Sequence, residues 1–556
     1  MLVLALPAAL LLVLPAAPAR AQSSEVHDRD APLVPRGRLR LDLVPTFASW
    51  NSRFGLRRED GRTVEEEEPL GLDLTDPAGT RMFPGIRTLE DDLRALIDDP
   101  SYRSRLGATR ARVGQDVTRV DLGARLGVFD WLTLGVTLPV VRTLTDIDVH
   151  FAPDTIDGDL GLNPAMSQAD AVARFLQELV TRAADAQNLA AEVCAADASS
   201  RGCADAQSAS QGVTEFLDRI QGALFASPFF PLAGSPVGLA LSGSLAALSQ
   251  ALQRVGLQGI DAPLPFASAR PTADDFVNLP ANPLSGIAGA PLRSMEGLWQ
   301  MGDLEMFATV RLLRGEIRDS AEAPPKASYL LAGGFLVRSG TGKTDDPDIF
   351  LDLGTGDGQT DYEGRLFAIA TWKSRIRLAA TARYGAQSAR AIVRRVTPPD
   401  AILAPASSRR VLEWTPGSYR SVEVSPQYRL TPELSFTGAY SYFRKDRDRY
   451  TLRADASGDL PAVDVSVLEL ETARTLHEIE AGLRYSTVSA WRQGRAGSPM
   501  ELSFAVRKAI HGAGGRTPKA TRIVLGLRIF KRIFGADPRR AAPATPASAS
   551  PPPLPR

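Results

Sequence analysis

Charged residues recur at every second position along segments that are otherwise aliphatic. Arg119, Asp121 and Arg125 are interleaved with Val120, Leu122, Ala124 and Leu126. Glu305 and Arg311 alternate with Leu304, Met306 and Val310. The same spacing carries Glu363 and Arg365, Arg377 and Arg383, Glu423 and Arg429, Glu478, Glu480 and Arg484, and Glu501 and Arg507; Arg40, Asp42 and Asp303 extend the set. Residues i and i+2 share one face of a strand, so each segment presents a charged face and an aliphatic face. Charges gathered this way can set the selectivity of a water-filled path. They can equally pair across strands and brace a narrow interior.

Other chemistries find little support. Lys+Arg and Asp+Glu both number 64, and that balance argues against a nucleic-acid binder. Two cysteines and four scattered histidines exclude a disulfide scaffold and an iron–sulfur centre, and disfavour a His-built zinc site. His150 and His477 have no Ser and acid set beside them, and there is no Gly-x-Ser-x-Gly elbow. The loop 345–361 concentrates Asp345, Asp346, Asp348, Asp352, Asp357 and Asp361 among glycines. It offers oxygen ligands for Ca²⁺, but its spacing departs from an EF-hand. No enzyme activity and no cofactor is expected.

The elements that position these charges follow from the alternation. Twelve strands are expected: 38–50, 113–128, 131–143, 300–314, 327–340, 361–372, 375–386, 419–430, 433–444, 475–486, 499–508 and 520–530, with ten or fourteen as the alternatives. The aliphatic faces run free of charge for about 9–11 residues, the length a tilted strand needs to cross a bilayer. Trp131, Trp372, Tyr384, Tyr428 and Tyr442 stand near strand ends, as interfacial girdles do. Tight turns at 129–131, 373–374 and 431–433, with a moderate one at 315–326, alternate with long connections near 51–104, 144–299, 341–360, 387–418 and 446–473. The connections at 487–498 and 509–519 are of similar length. The expected fold is a closed antiparallel transmembrane β-barrel spanning 22–535, monomeric, with lipid on its aliphatic face and both termini on the side of the short turns. Pro45 and Pro426 each remove a ladder donor in mid-strand, so bulges or irregularity are expected there.

Three segments stand apart from the barrel pattern. Residues 1–21 read as a signal peptide, with an apolar stretch ending in Ala19-Arg20-Ala21, although no charge precedes Arg20. Residues 144–299 switch to helical spacing: Val172, Phe175, Leu176, Leu179 and Ala183; Val213, Phe216, Leu217, Ile220 and Leu224; Leu241, Leu245, Leu248, Leu252 and Val255. Two to four helices on the external side are expected, as a cap or plug or as a decoration. Cys194 and Cys203 are expected to bridge two helix ends, with two free thiols as the alternative. Residues 536–556, rich in Pro and Ala, read as a disordered tail.

The segments DLGARLGVFDWLTLGVTLPVVR (121–142), GDLEMFATVRLL (302–313) and GDGQTDYEGRLFAIATWKS (356–374) resemble outer-membrane barrel transporters of the meta-pathway phenol-degradation type. The likeness covers about 200 residues. The long insert and tail depart from it, and Phe530 or Phe534, the candidate terminal aromatic signal, is not the last residue. The resemblance implies an outer-membrane pore for hydrophobic or aromatic compounds. The combined expectation is passive passage of a small solute; the alternative is a closed structural or adhesion barrel whose insert binds a partner.

Overall fold

The computed structural model describes residues 31–59, 62–397, 402–453, 463–514 and 517–534. Residues 1–21, expected to be a signal peptide, and the 536–556 tail lie outside them. Twelve long strands form the wall: β1 (Arg38–Trp50), β2 (Gly107–Phe129), β3 (Leu132–Pro153), β4 (Leu304–Ile317), β5 (Ala327–Ser339), β6 (Asp361–Trp372), β7 (Ile376–Gln387), β8 (Tyr419–Arg429), β9 (Leu434–Lys445), β10 (Arg474–Ser486), β11 (Met500–Ala513) and β12 (Thr521–Arg532). Each pairs antiparallel with its neighbours in sequence, and β12 returns to β1. The ring is therefore closed, with no free edge among these twelve strands. The other sheets of the described residues are small and lie outside the ring, joining 390–395 with 409–415 and 449–452, 52–59 with 62–69 and 517–518, and 160–162 with 229–231.

Burial along the strands is inverted relative to a soluble sandwich. Arg40, Glu305 and Glu363 are fully buried, whereas Leu122, Leu134 and Leu525 are 40–45% exposed. Only lipid makes such a surface stable, because a water-facing wall would expose the aliphatic rows and bury the charges at a cost. Trp131, Trp372, Tyr384 and Tyr428 face outward near the strand ends.

At the prolines the ladders show the expected local irregularity, without a bulge: Val44 and Pro45 have no partners on the β12 side. Pro45 pairs with Val120 in unbroken register, and the β8–β9 ladder omits partners around Pro426 without a shift. Each proline lacks the N–H that one ladder would use, so that ladder loses bonds locally but no residue slips. Register shifts instead fall at Gly127/Phe129, at Arg311/Leu313 and at His477/Glu478. The β3–β4 seam is short, running only from Glu305↔Thr137 to Val310↔Leu132.

β2 and β3 run well past the other strands, to Gly107 and Pro153, so the insert begins later than residue 144. The alternation in this hairpin continues after its aliphatic face ends, which hid the extension. The helices α1 (Ile86–Ile97), α2 (Ala169–Ala196), α3 (Arg201–Ala226) and α4 (Pro236–Arg254) gather beside it. α1 lies in a stretch read from sequence as a loop; its Ile86, Leu89, Leu93 and Leu96 are buried at helical spacing. Cys194 near the end of α2 and Cys203 at the start of α3 are joined in a disulfide, with Cα atoms 4.7 Å apart.

The helical core includes Leu89, Phe175, Phe216 and Phe276 together with Val113, Ile147 and Phe151 of the hairpin. Val113 shares strand parity with Arg119, and Ile147 with Thr137, so the helices pack on the inward side of the extension. They lie over the barrel mouth. Neighbouring loops are fastened to them: the Leu403 N–H donates to the Met82 carbonyl, and the Ala406 N–H to that of Gly286. Arg395 donates to the carbonyls of Ile287 and Ala404 and also pairs with Asp348.

Candidate functional site: the charged lumen and its two mouths

Strand parity directs the alternating charges into the lumen, where they form three linked groups. At the turn end, Asp42 receives Arg40 at 3.1 Å, Arg125 at 3.0 Å and Arg528 at 3.5 Å. Arg528 also reaches Glu501 at 3.2 Å. The Arg125 guanidinium lies 4.6 Å above the Phe307 ring, which occupies the space left by Gly135. A Cβ on Gly135 would meet that ring at 2.2 Å, so glycine is required there by close approach.

In mid-lumen Arg507 is the hub. It lies 2.6 Å from Glu423, 3.0 Å from Glu480 and 3.6 Å from Glu478. Glu423 is on β8 and Arg507 on β11, with two strands between them around the ring, so this bond chords the interior. Arg522 adds a second cation to Glu478 at 3.2 Å.

Toward the cap, Arg119 bonds Asp121 at 2.7 Å and approaches Glu305 at 3.6 Å. Arg338 bonds Glu305 at 3.2 Å and Asp361 at 2.5 Å. Glu363 pairs with Arg365 and accepts the Tyr419 hydroxyl at 2.6 Å. Glu305–Arg119 and Glu363–Tyr419 each skip one strand.

Of the residues singled out from sequence, Arg119, Asp121, Arg125, Glu305, Arg365, Arg383, Glu423, Glu478, Glu480, Arg484 and Arg507 are buried on the inner face. Arg377 is half-buried on the same face. Arg311 sits half-buried at the β4 bulge, and Arg429 is exposed at the turn end of β8; neither joins the network. Sequence reasoning did not single out Arg338, Asp361 or Tyr419 as lumen residues, and it did not count Arg528, on the polar face of the last strand, among the lumen charges. Arg338 lies on β5, whose apolar residues occupy both faces and blur the alternation. Asp361 and Tyr419 open their strands, where the pattern has only begun.

Above the third group lies a cavity of about 160 Å³ lined by Arg119, Asp303, Arg338, Asp357, Trp414 and Tyr450, among others. The Trp414 and Tyr450 rings stack at 6.2 Å between centroids. Arg338 Nη2 has no hydrogen-bond partner among the described residues. Asp303 accepts the Gly342 N–H at 2.8 Å, and burial, reinforced by the neighbouring Asp357 charge, pushes its carboxyl up to about 6. The acidic loop does not converge on a shared centre. Asp345 pairs with Arg394, Asp348 with Arg395 and Arg409, and Asp352 accepts the Asp346 N–H.

The opposite mouth is narrowed by the chain's own N-terminal segment. The Val34 N–H donates to the inward Thr133 hydroxyl at 2.9 Å, and Arg40 donates to the Ala31 carbonyl at 2.6 Å. Pro32 and Val34 are buried there.

A closed antiparallel cylinder with an aliphatic exterior and a charged interior defines a membrane-spanning β-barrel. No family model matches the chain, and no curated protein matches its sequence. Among solved structures, it is similar to an outer membrane channel from Pseudomonas putida F1: 8% identity, 92% of this chain and 100% of that chain covered, TM-score 0.38. It is also similar to the Ralstonia pickettii toluene transporter TbuX (8% identity, 90% of each chain, TM-score 0.25). A third is the translocator domain of the autotransporter NalP from Neisseria meningitidis (7% identity, 88% of this chain and 87% of that chain, TM-score 0.24). With TM-scores this low, none of these proteins carries an argument for what passes through this barrel.

Proposed function

We propose that this chain is an outer-membrane channel for passive passage of a small solute, with the inward charges as pore-lining groups and the helical insert as a cap. The observation that carries the reading is the multiply partnered charge lattice. Arg507 touches three carboxylates and Asp42 three guanidiniums, so single contacts can exchange without stranding a charge. A lumen filled only for support would be better served by aliphatic side chains, since a buried ion pair is weak evidence for stability.

The cavity under the cap supports a solute class. The flat Trp414–Tyr450 pair and the spare Arg338 donor suit a small aromatic compound bearing a polar or anionic group. Lipid of the outer membrane is the surrounding partner, and the unit is a monomer. No nucleic-acid partner and no cofactor enters this reading.

The chord from Glu423 to Arg507 and the tucked N-terminal segment favour a second reading, a closed barrel whose cap binds a partner. Single-channel recording in planar bilayers separates the two. The channel reading expects small discrete steps, larger after residues 154–294 are replaced by a short linker. A barrel silent in both forms, yet fully folded, would overturn it. A liposome-swelling panel comparing benzoate-like, sugar and amino-acid solutes then tests the solute class.

A further inference from the structure

We propose that the outer rim of the β8–β11 sector is a binding site for the phosphate groups of a lipid in the surrounding leaflet. The proposal rests on the membrane-spanning reading of the barrel.

Arg420 and Arg444 are register partners on adjacent strands and both are exposed on the lipid-facing side. Like charges directly opposite one another destabilise a sheet. Among the described residues neither arginine forms an ion pair and the outward rows of β7 to β12 contain no acidic residue; the next carboxylate along, Asp446 just beyond β9, accepts the Ser418 hydroxyl at 2.8 Å. One strand further round, His477 and His511 are also register partners, with ring centroids 5.2 Å apart. His477 is fixed by the Tyr440 hydroxyl at 2.7 Å from Nδ1 and by the edge-on Tyr442 ring at 5.1 Å.

The height of this group matches a headgroup. Outward residues from Tyr428 up to Arg420 are Pro426, Val424 and Val422. Eight residues of strand tilted by about 40° rise ~20 Å, close to the ~25 Å apolar band of such barrels. Arg420 and Arg444 therefore stand where lipid tails end and phosphates begin, with Tyr440 and Tyr442 just beneath.

The rest of the rim is different. On β2 and β3 the outward Arg110 and Arg112 share their face with Asp116, Asp146 and Asp148, and Arg142 pairs with Glu296. Lys508 is left out of the site because Glu67, on the hairpin formed by 52–59 and 62–69, draws on its charge. Among the described residues of this rim, the β8–β11 sector is left with positive charge that no ion pair answers. Guanidinium–phosphate bonds, two per arginine where the fork is met, are the contacts that would answer it.

The test uses the full barrel in a neutral detergent and native mass spectrometry, with bisphosphorylated lipid A as the probe. Parallel arms contain the dephosphorylated lipid and inorganic phosphate at millimolar concentration. The wild type is expected to retain the phosphorylated lipid, and R420Q/R444Q to retain it at least tenfold less. R110Q/R112Q is expected to match the wild type. Without added lipid, R420Q/R444Q should melt no lower than the wild type, because the substitution relieves repulsion. Equal retention by wild type and R420Q/R444Q overturns the proposal, as does equal retention of the dephosphorylated lipid. Displacement by inorganic phosphate alone would make this a free-anion site and also overturn the lipid assignment. The heat-modifiable gel band reports barrel integrity separately, so loss of that band in wild type would count against the membrane reading instead.

Discussion

Replacing Arg507 by Met removes the cation that serves Glu423, Glu478 and Glu480, at 2.6, 3.6 and 3.0 Å. The volume is nearly kept, so the loss is electrostatic. Breaking a buried pair by deleting one partner costs about 3–5 kcal/mol, because the remaining charge is left uncompensated. Arg522 still reaches Glu478 at 3.2 Å, so the exposed deficit falls mainly on Glu423 and Glu480, and the lower half of that range is expected. Urea unfolding of the barrel in lipid vesicles measures it. The companion R507M/E480M should recover part of the loss, since a pair replaced by apolar groups is close to neutral. R507M also cuts the chord between β8 and β11 and leaves excess negative charge, so any conductance should rise and shift toward cations under a KCl gradient. A loss below about 1 kcal/mol together with an unchanged reversal potential would refute the hub.

Leu525→Arg, at the centre of the outward row of β12, should lower stability by about 2–4 kcal/mol in vesicles, read by urea midpoint. Gly135→Ala should push the Phe307 ring from beneath Arg125 and cost about 1–3 kcal/mol by overpacking; an unchanged midpoint would show that the ring moves freely. Asp303, with its carboxyl raised to about 6, binds its proton more tightly folded than unfolded. Its contribution therefore declines as pH rises from about 4 to about 6 and is flat above about 7. Asp303→Asn should gain on wild type across that window in thermal melts, and parallel curves from pH 4 to 8 would contradict the assignment.

The strand set was legible because a barrel wall between lipid and a charged interior imposes a period of two on every segment, and no other environment keeps the aliphatic row free of charge for so long. Thus VTRVDLGARLGV already placed Arg119, Asp121 and Arg125 on one face and Leu122 and Leu126 on the other. The helical spacing of Val172, Phe175 and Leu179 likewise announced the insert. Tertiary structure alone decided which charges meet: Arg507 reaches Glu423 across two intervening strands, and no local pattern encodes a chord through a lumen. It also decided that Arg338 and Tyr419 join the lattice while Arg311 and Arg429 stay outside it. Finally, it set the helices over the mouth, because Val113 and Ile147 present apolar side chains inward above the charged layer and only a packed core there removes them from water. Periodicity fixes the face a side chain occupies; the curvature and closure of the sheet fix its neighbours.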